Sequence, residues 1–192
     1  MIVGVTGFFA AGKDTFAACL QNEGFAHVSL SEILREELRA RGIEVNIPNL
    51  TAVGNQLRRE QGAGVLGRLA AKRFAHSGDA VVSSIRHPEE VRALREDAPD
   101  FTMVFLNAPQ RVRFERSLLR RRDGDPQTFE DFCEEEERQL RSADDSAQQL
   151  LACREIADVE IENGASTEEL RRQISELLVK LHSQNSCAGR HE

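Results

Sequence analysis

Gly7-Phe8-Phe9-Ala10-Ala11-Gly12-Lys13-Asp14-Thr15 follows the apolar run Met1-Ile2-Val3-Gly4-Val5-Thr6 and leads into Phe16-Ala17-Ala18-Cys19-Leu20. The order predicts a strand, a phosphate-binding loop and a helix. Glycines spaced G-x-x-x-x-G let backbone N–H groups turn inward around an anion, the following helix offers its positive N-terminal end, and Lys13 adds a full charge. Gly7, Ala10, Ala11, Gly12, Lys13, Asp14 and Thr15 are therefore the candidate contacts to nucleotide phosphates. The loop departs from the commonest motif in one way: Asp14 follows the lysine, and the hydroxyl comes one place later, at Thr15.

Downstream of the loop, the pattern alternates strand and helix. A helix over about 13–21 stops before Gly24, and 25–29 reads as a second strand. Ser31 is placed to cap a helix over 32–40 with Ile33, Leu34 and Leu38 on one face. Two further helical stretches, from Pro48 and over 65–75, are separated by Gly62 and Gly64. This insertion is longer than a crossover needs, and a substrate-binding flap and a plain packing hairpin fit the pattern equally. Residues 79–86 read as a buried third strand whose end turns polar, and 101–106 as a fourth. A helix from Pro109 ends in Arg116, Arg120, Arg121 and Arg122, and a long helix from Thr128 is expected to break around 142–145. Residues 158–162 form a fifth strand closed by Asn163-Gly164. The last helix, over about 166–182, opens with the capping box Ser166-Thr167-Glu168-Glu169. A polar tail over 183–192 is expected to be disordered. Alternation of this kind predicts a parallel sheet with helices on both faces, its carboxyl edge collecting the ligand.

The chain has 192 residues, 40% hydrophobic and 30% charged, which suits one globular domain. No apolar run is long enough to span a bilayer, and no basic leader precedes the first strand, so the cytoplasm is the expected compartment. The four cysteines lie far apart, without metal-ligand spacing, and read as reduced thiols. The net charge of −7 argues against a general nucleic-acid coat, so an anionic ligand must be held by locally concentrated arginine.

From the loop to about residue 182 the chain resembles the P-loop kinases of small metabolites, in particular the nucleoside monophosphate kinases and the neighbouring dephospho-CoA kinase group. Gly7 to Thr15 is similar to the G-x-x-G-x-G-K-G-T loop of adenylate kinases, where the hydroxyl also comes two places after the lysine. Val28-Ser29-Leu30-Ser31-Glu32-Ile33-Leu34-Arg35 looks like their S-T-G-D-L-L-R segment. Ser83-Ser84-Ile85-Arg86-His87-Pro88 occupies the place of D-G-x-P-R, and Arg116 to Arg122 that of the arginine-bearing lid. The resemblance implies a three-layer α/β/α P-loop NTPase fold with a five-stranded parallel sheet in the order 2-3-1-4-5. It implies one domain over 1–182, with a helical acceptor-binding insertion at about 31–75 and a short lid at about 116–128. It also implies ATP and Mg²⁺ as cofactors and a small phosphorylated acceptor as partner, with no membrane and no nucleic acid.

Under this resemblance Lys13, Arg86, Arg116 and Arg120 would act on the transferring phosphoryl group. Arg122, Asn163 and Gly164 would join the loop on the nucleotide, Ser31, Arg35 and Arg86 would bind the acceptor, and Thr15 and Asp14 would serve the metal. Phosphoryl transfer is mostly positioning and charge neutralisation, so a lysine, a metal and several arginines are the parts it needs. Bland meanings stand beside these. Arg35 could form an exposed ion pair, the arginine run could be a solvated helix end, Glu134 to Glu137 a solvated face, His87 a surface histidine, and Asp14 a first-turn acid. Ser83 stands where the resemblance leads one to expect an aspartate. A hydroxyl acceptor would need a base, for which Glu32 is the candidate; a phosphate acceptor would not. Three functions stay open: a (deoxy)nucleoside monophosphate kinase, a dephospho-CoA-type kinase, and a nucleotide-binding regulator with weak ATPase activity.

Overall fold

The computed structural model describes residues 1–75, 77–120, 126–140 and 149–188. Strand β1 (Ile2–Gly7) is buried along its whole length, which is why it reads as a continuous apolar run and not an alternating one. Val3 and Val5 face a core made with Phe16 and Leu20 of α1 (Lys13–Asn22) and with Leu170, Ile174 and Leu177 of α9 (Thr167–Ala188). Ile2 faces the other core. That side is built from α2 (Leu30–Ala40), α3 (Ile47–Gln61), α4 (Val65–Phe74) and α5 (Pro88–Asp97), through Ile33, Leu38, Val53, Leu57, Leu66 and Leu94.

The sheet is parallel and runs β2 (Ala26–Ser29), β3 (Ala80–Ser83), β1, β4 (Phe101–Asn107), β5 (Val159–Glu162). This is the three-layer α/β/α fold with the order 2-3-1-4-5. Its register aligns the carboxyl ends: Ser29 and Val5 both lie opposite Ser83, and Gly7 opposite Leu106. Side chains leaving β1, β2 and β3 are thereby delivered to one edge. Beside the phosphate loop, α6 (Gln110–Arg120) and α7 (Phe129–Leu140) pack through Phe114, Phe129 and Phe132. The short α8 (Leu150–Glu155) follows.

Several boundaries differ from the sequence reading. Helix α2 begins at Leu30 with Ser29 at its N-cap position, so Ser31 lies inside the first turn and its hydroxyl turns to Arg35 and Ser29 instead of capping. Strand β3 stops at Ser83 because Ser84 takes φ 65°, a left-handed turn that leads the chain off the sheet. Helix α9 continues through Ala188, past the expected end at His182, with the Ser183 hydroxyl donating to the Val179 carbonyl. The expected break at 142–145 lies outside the described residues. The stops at Gly24 and Gly42 occur as expected, both at positive φ just beyond α1 and α2. Among the described residues no helix is long and apolar enough to cross a membrane.

Candidate active site

Between β1 and α1 the chain forms the phosphate loop. Gly7 is required by a close approach: a Cβ there would lie 2.1 Å from the Leu106 carbonyl oxygen of the neighbouring strand. Gly12 has φ 99°, and a Cβ would meet the Asn163 amide nitrogen at 2.3 Å. Ala10 shares the left-handed region at φ 58°, so backbone groups of the loop turn as an anion cradle requires. Lys13 folds back over the loop, donating to the carbonyls of Gly7 at 2.9 Å and Phe8 at 2.6 Å. Burial pushes its pKa down to about 7; Arg86 adds to that shift, Asp14 opposes it, and Arg120 and Arg113 add further. Those directions place three guanidinium charges near one ammonium, around a loop built for anions.

Arg86 lies three residues past the end of β3, and burial lowers its pKa while the Glu90 carboxylate opposes the shift. Arg120, in the last turn of α6, stacks over the Phe9 ring at 4.2 Å from its centroid. Arg116 is turned to the loop after β5, donating to the carbonyls of Asn163 at 2.8 Å and Ala165 at 3.1 Å. Asn163 is buried, and its amide donates to the Ala11 carbonyl at 2.8 Å, so it shapes the phosphate loop from behind. Gly164 packs on Pro109, where a Cβ would stand 3.0 Å from the proline ring. Arg122 lies outside the described residues.

At the ends of β2 and β3 the hydroxyls of Ser29, Ser31 and Ser84 converge. Ser29 and Ser31 are 2.9 Å apart, and Ser84 lies 3.3 Å from Ser31. Arg35 joins them, with Nη1 donating to Ser31 at 3.0 Å and to Glu32 at 3.1 Å. Glu32 is also bonded by Arg39 at 2.7 Å, and that guanidinium, with Arg35 beside it, holds the Glu32 carboxyl below its usual range. A carboxylate stabilised in its charged form is a weak base.

Thr15 and Asp14 lie exposed in the first turn of α1. Ser83 is buried, and its hydroxyl lies 2.8 Å from Nε2 of His27. Burial lowers the His27 pKa, and Asp14 acts in the opposite sense, so the histidine, Ser83 and Asp14 share one corner of the site. Among the described residues no cluster of three or more His, Cys, Asp or Glu side chains could hold a metal unaided.

No family model matches the chain. A UPF0200 protein of Thermococcus kodakarensis is 33% identical over 189 residues, covering 95% of this chain and 99% of its own. This chain belongs to the UPF0200 family. A second UPF0200 protein, from Hyperthermus butylicus, is 31% identical over 186 residues, with 96% of each chain covered. Solved structures similar to this UPF0200 protein include three small-molecule kinases. Shikimate kinase from Aquifex aeolicus aligns with a TM-score of 0.52 at 19% identity, over 96% of this chain and 98% of that one. A gluconokinase from Sinorhizobium meliloti gives 0.54 at 17%, over 98% and 97%. The APS kinase of Mycobacterium tuberculosis, solved with AMPPNP and APS, gives 0.53 at 20%, over 92% and 96%. At such identities the likeness is one of fold. It supports a P-loop kinase-like architecture and does not single out the nucleoside monophosphate kinases.

The UPF0200 site also contains residues that the sequence reading placed on the surface, Glu136 and His87, or did not single out, Arg113, Arg58 and Glu90. Arg113 is buried and donates to the Ala108 carbonyl at 2.8 Å and the Phe9 carbonyl at 3.4 Å, and pairs with Glu136 of α7. Glu136, read as part of a solvated acidic face, is therefore the half-buried partner of a buried arginine, because that side of α7 lies against the loop. His87 is buried and caps α5, its Nδ1 accepting from the Glu89 amide at 3.1 Å. Arg58 and Glu90 form a buried pair. Each of these sits beside a like-charged neighbour in sequence, Arg59 or Glu89, and no local pattern tells the buried member from the exposed one.

Proposed function

We propose that this protein is an ATP-dependent kinase that transfers a γ-phosphoryl group to a small phosphorylated metabolite, with a nucleoside or deoxynucleoside monophosphate as the favoured acceptor. One observation carries the reading: Lys13, Arg86, Arg113 and Arg120 converge on the phosphate loop, while Glu32, the candidate base, is held ionised by Arg39 and Arg35. An acceptor that is already an anion needs cations and no base. A hydroxyl acceptor would need the base that Glu32 is poorly suited to be.

In this reading the loop amides and Lys13 hold the β- and γ-phosphates, Arg86 and Arg120 neutralise charge that spreads over the transferring group, and Ser31 and Arg35 take the acceptor phosphate. Asn163 and Arg116 support the nucleotide side of the loop. The donor set fits Mg²⁺ held chiefly by phosphate oxygens and water, with the Thr15 hydroxyl and the Asp14 carboxylate nearby. Held there, such an ion would supply charge neutralisation at the phosphates. The Lys13 ammonium moves from the Gly7 and Phe8 carbonyls to the polyphosphate, which offers a stronger, charged acceptor.

A coupled assay of ATP against a panel of nucleoside monophosphates and dephospho-CoA tests the reading. Turnover with one or more monophosphates is expected. Lys13→Ala should lower that rate roughly 10²-fold or more. A second reading, a nucleotide-binding regulator with weak ATPase activity, is favoured by Ser83 and its bond to His27 where an acid was expected. Tight ATP binding with no turnover of any acceptor would select it.

A further inference from the structure

Four backbone polar groups of the segment that carries Arg86 are held from three parts of the fold. The Ile85 carbonyl accepts from Thr6 of β1 at 2.5 Å, and the Arg86 carbonyl accepts from the Gln149 amide, just before α8, at 2.8 Å. The amides of Arg86 and His87 both donate to one oxygen of Glu90, at 2.9 and 3.2 Å. The other oxygen of Glu90 accepts from Nε and Nη2 of Arg58 at 3.1 and 2.8 Å. Arg58 belongs to α3, in the helical insertion, and the two side chains are only 5% and 0% exposed.

A buried ion pair is a poor way to gain stability, since well-packed apolar residues of similar volume often do as well or better. Its directional bonds are what apolar packing cannot supply. Here one carboxylate joins the backbone of Arg86 to a helix that lies outside the sheet. We propose that Glu90 and Arg58 form a positioning relay: Glu90 fixes the backbone from which the Arg86 guanidinium projects, and Arg58 ties that placement to helix α3. The pair touches no reacting atom. Its role rests on the reading of Arg86 under the proposed function, and the relay sets how well the acceptor-side insertion and Arg86 are aligned. Displacing α3 moves Arg58, and Arg58 carries Glu90 with it.

Arg58→Met, Arg58→Lys and Glu90→Gln in the full-length chain test this by two independent readouts. The first is amide hydrogen exchange of the non-proline residues within 84–88, with the β1 amides as internal reference. Arg58→Met, on a different element, is expected to speed exchange at 84–88 by about 10-fold or more relative to β1, and Glu90→Gln to do the same. Arg58→Lys should restore part of the protection. The second readout is phosphoryl transfer from ATP to whichever nucleoside monophosphate the wild type uses: kcat should fall about 10-fold or more with the KM for ATP within about twofold. Parallel acceleration at 84–88 and β1, or unchanged protection at 84–88, would overturn the relay and leave a purely structural pair. Lost protection with unchanged kcat would overturn its link to Arg86 chemistry. If the wild type transfers to no monophosphate, the proposed function fails, and the exchange result still decides the relay.

Discussion

Lys13 carries a charge that its surroundings oppose until a polyanion arrives. Burial, then the neighbouring guanidinium groups, depress its pKa to about 7, well below the ordinary 10.5. A bound polyphosphate favours the ammonium form and should return the pKa towards its usual range. Nucleotide binding at pH 8 to 8.5 is therefore expected to take up close to one proton, and at pH 5.5 almost none from this group. Calorimetry in buffers of different ionisation enthalpy measures that difference, and Lys13→Met should abolish the uptake at the higher pH. The same shift acts on folding. Between the folded value of about 7 and the unfolded 10.5 the unfolded chain binds more protons, so the penalty on folding shrinks as pH rises through that window and is full below it. Ser84 makes a different kind of strain visible. Its φ of 65° costs a non-glycine residue about 1–2 kcal/mol, of which glycine's greater chain entropy would return roughly half. Ser84→Gly should accordingly leave Tm unchanged or raise it by up to about 3 °C. A fall in a thermal melt would mean that the hydroxyl's contacts with Ser29 and Ser31 outweigh the backbone.

Helices α4 and α5 touch through glycine. A Cβ on Gly67 would lie 2.4 Å from the Glu90 carbonyl oxygen, and one on Gly64 2.8 Å from that of Glu89. Helical propensity alone favours alanine at Gly67 by about 1 kcal/mol, whereas overpacking against backbone costs about 1–3 kcal/mol. Gly67→Ala is expected to lose about 1–2 kcal/mol in urea denaturation, because the atom it would meet is main chain at the start of α5 and cannot rotate away. A gain in stability would show that the two helices separate freely. That close approach seats α4 on α5, and with Val53 and Leu57 of α3 and Val65 and Leu66 of α4 all buried, the insertion belongs to the core on that face. On the other side of the loop, Arg113 and Glu136 bring α6 and α7 to Phe9.

Across the whole molecule, an acidic chain of net charge −7 gathers Lys13, Arg86, Arg113 and Arg120 around one loop. That arrangement concentrates an anion where the loop opens and leaves the remaining surface repulsive to polyanions. The fold was legible because its signals are local or periodic. Apolar runs marked strands buried on both faces, glycines marked helix ends, and the G-x-x-x-x-G spacing placed the first loop. The placement of Lys13 on the loop and of Arg86 and Ser31 beside the strand ends was legible for the same reason, since each sits in or beside such a signal. Arg58, Glu90, Arg113, Glu136 and His87 were not. Each is a charged or polar residue amid others, and what distinguishes it, burial or a buried partner, depends on which distant element covers it. The sequence by itself determined the order of elements, the parallel α/β architecture and the phosphate loop, because backbone preference and hydrophobic period act over a few neighbouring residues. Only the tertiary structure decided which charges pair in the interior and that Glu90 joins the Arg86 backbone to Arg58 of α3, since those facts rest on contacts between residues that the sequence alone does not bring together.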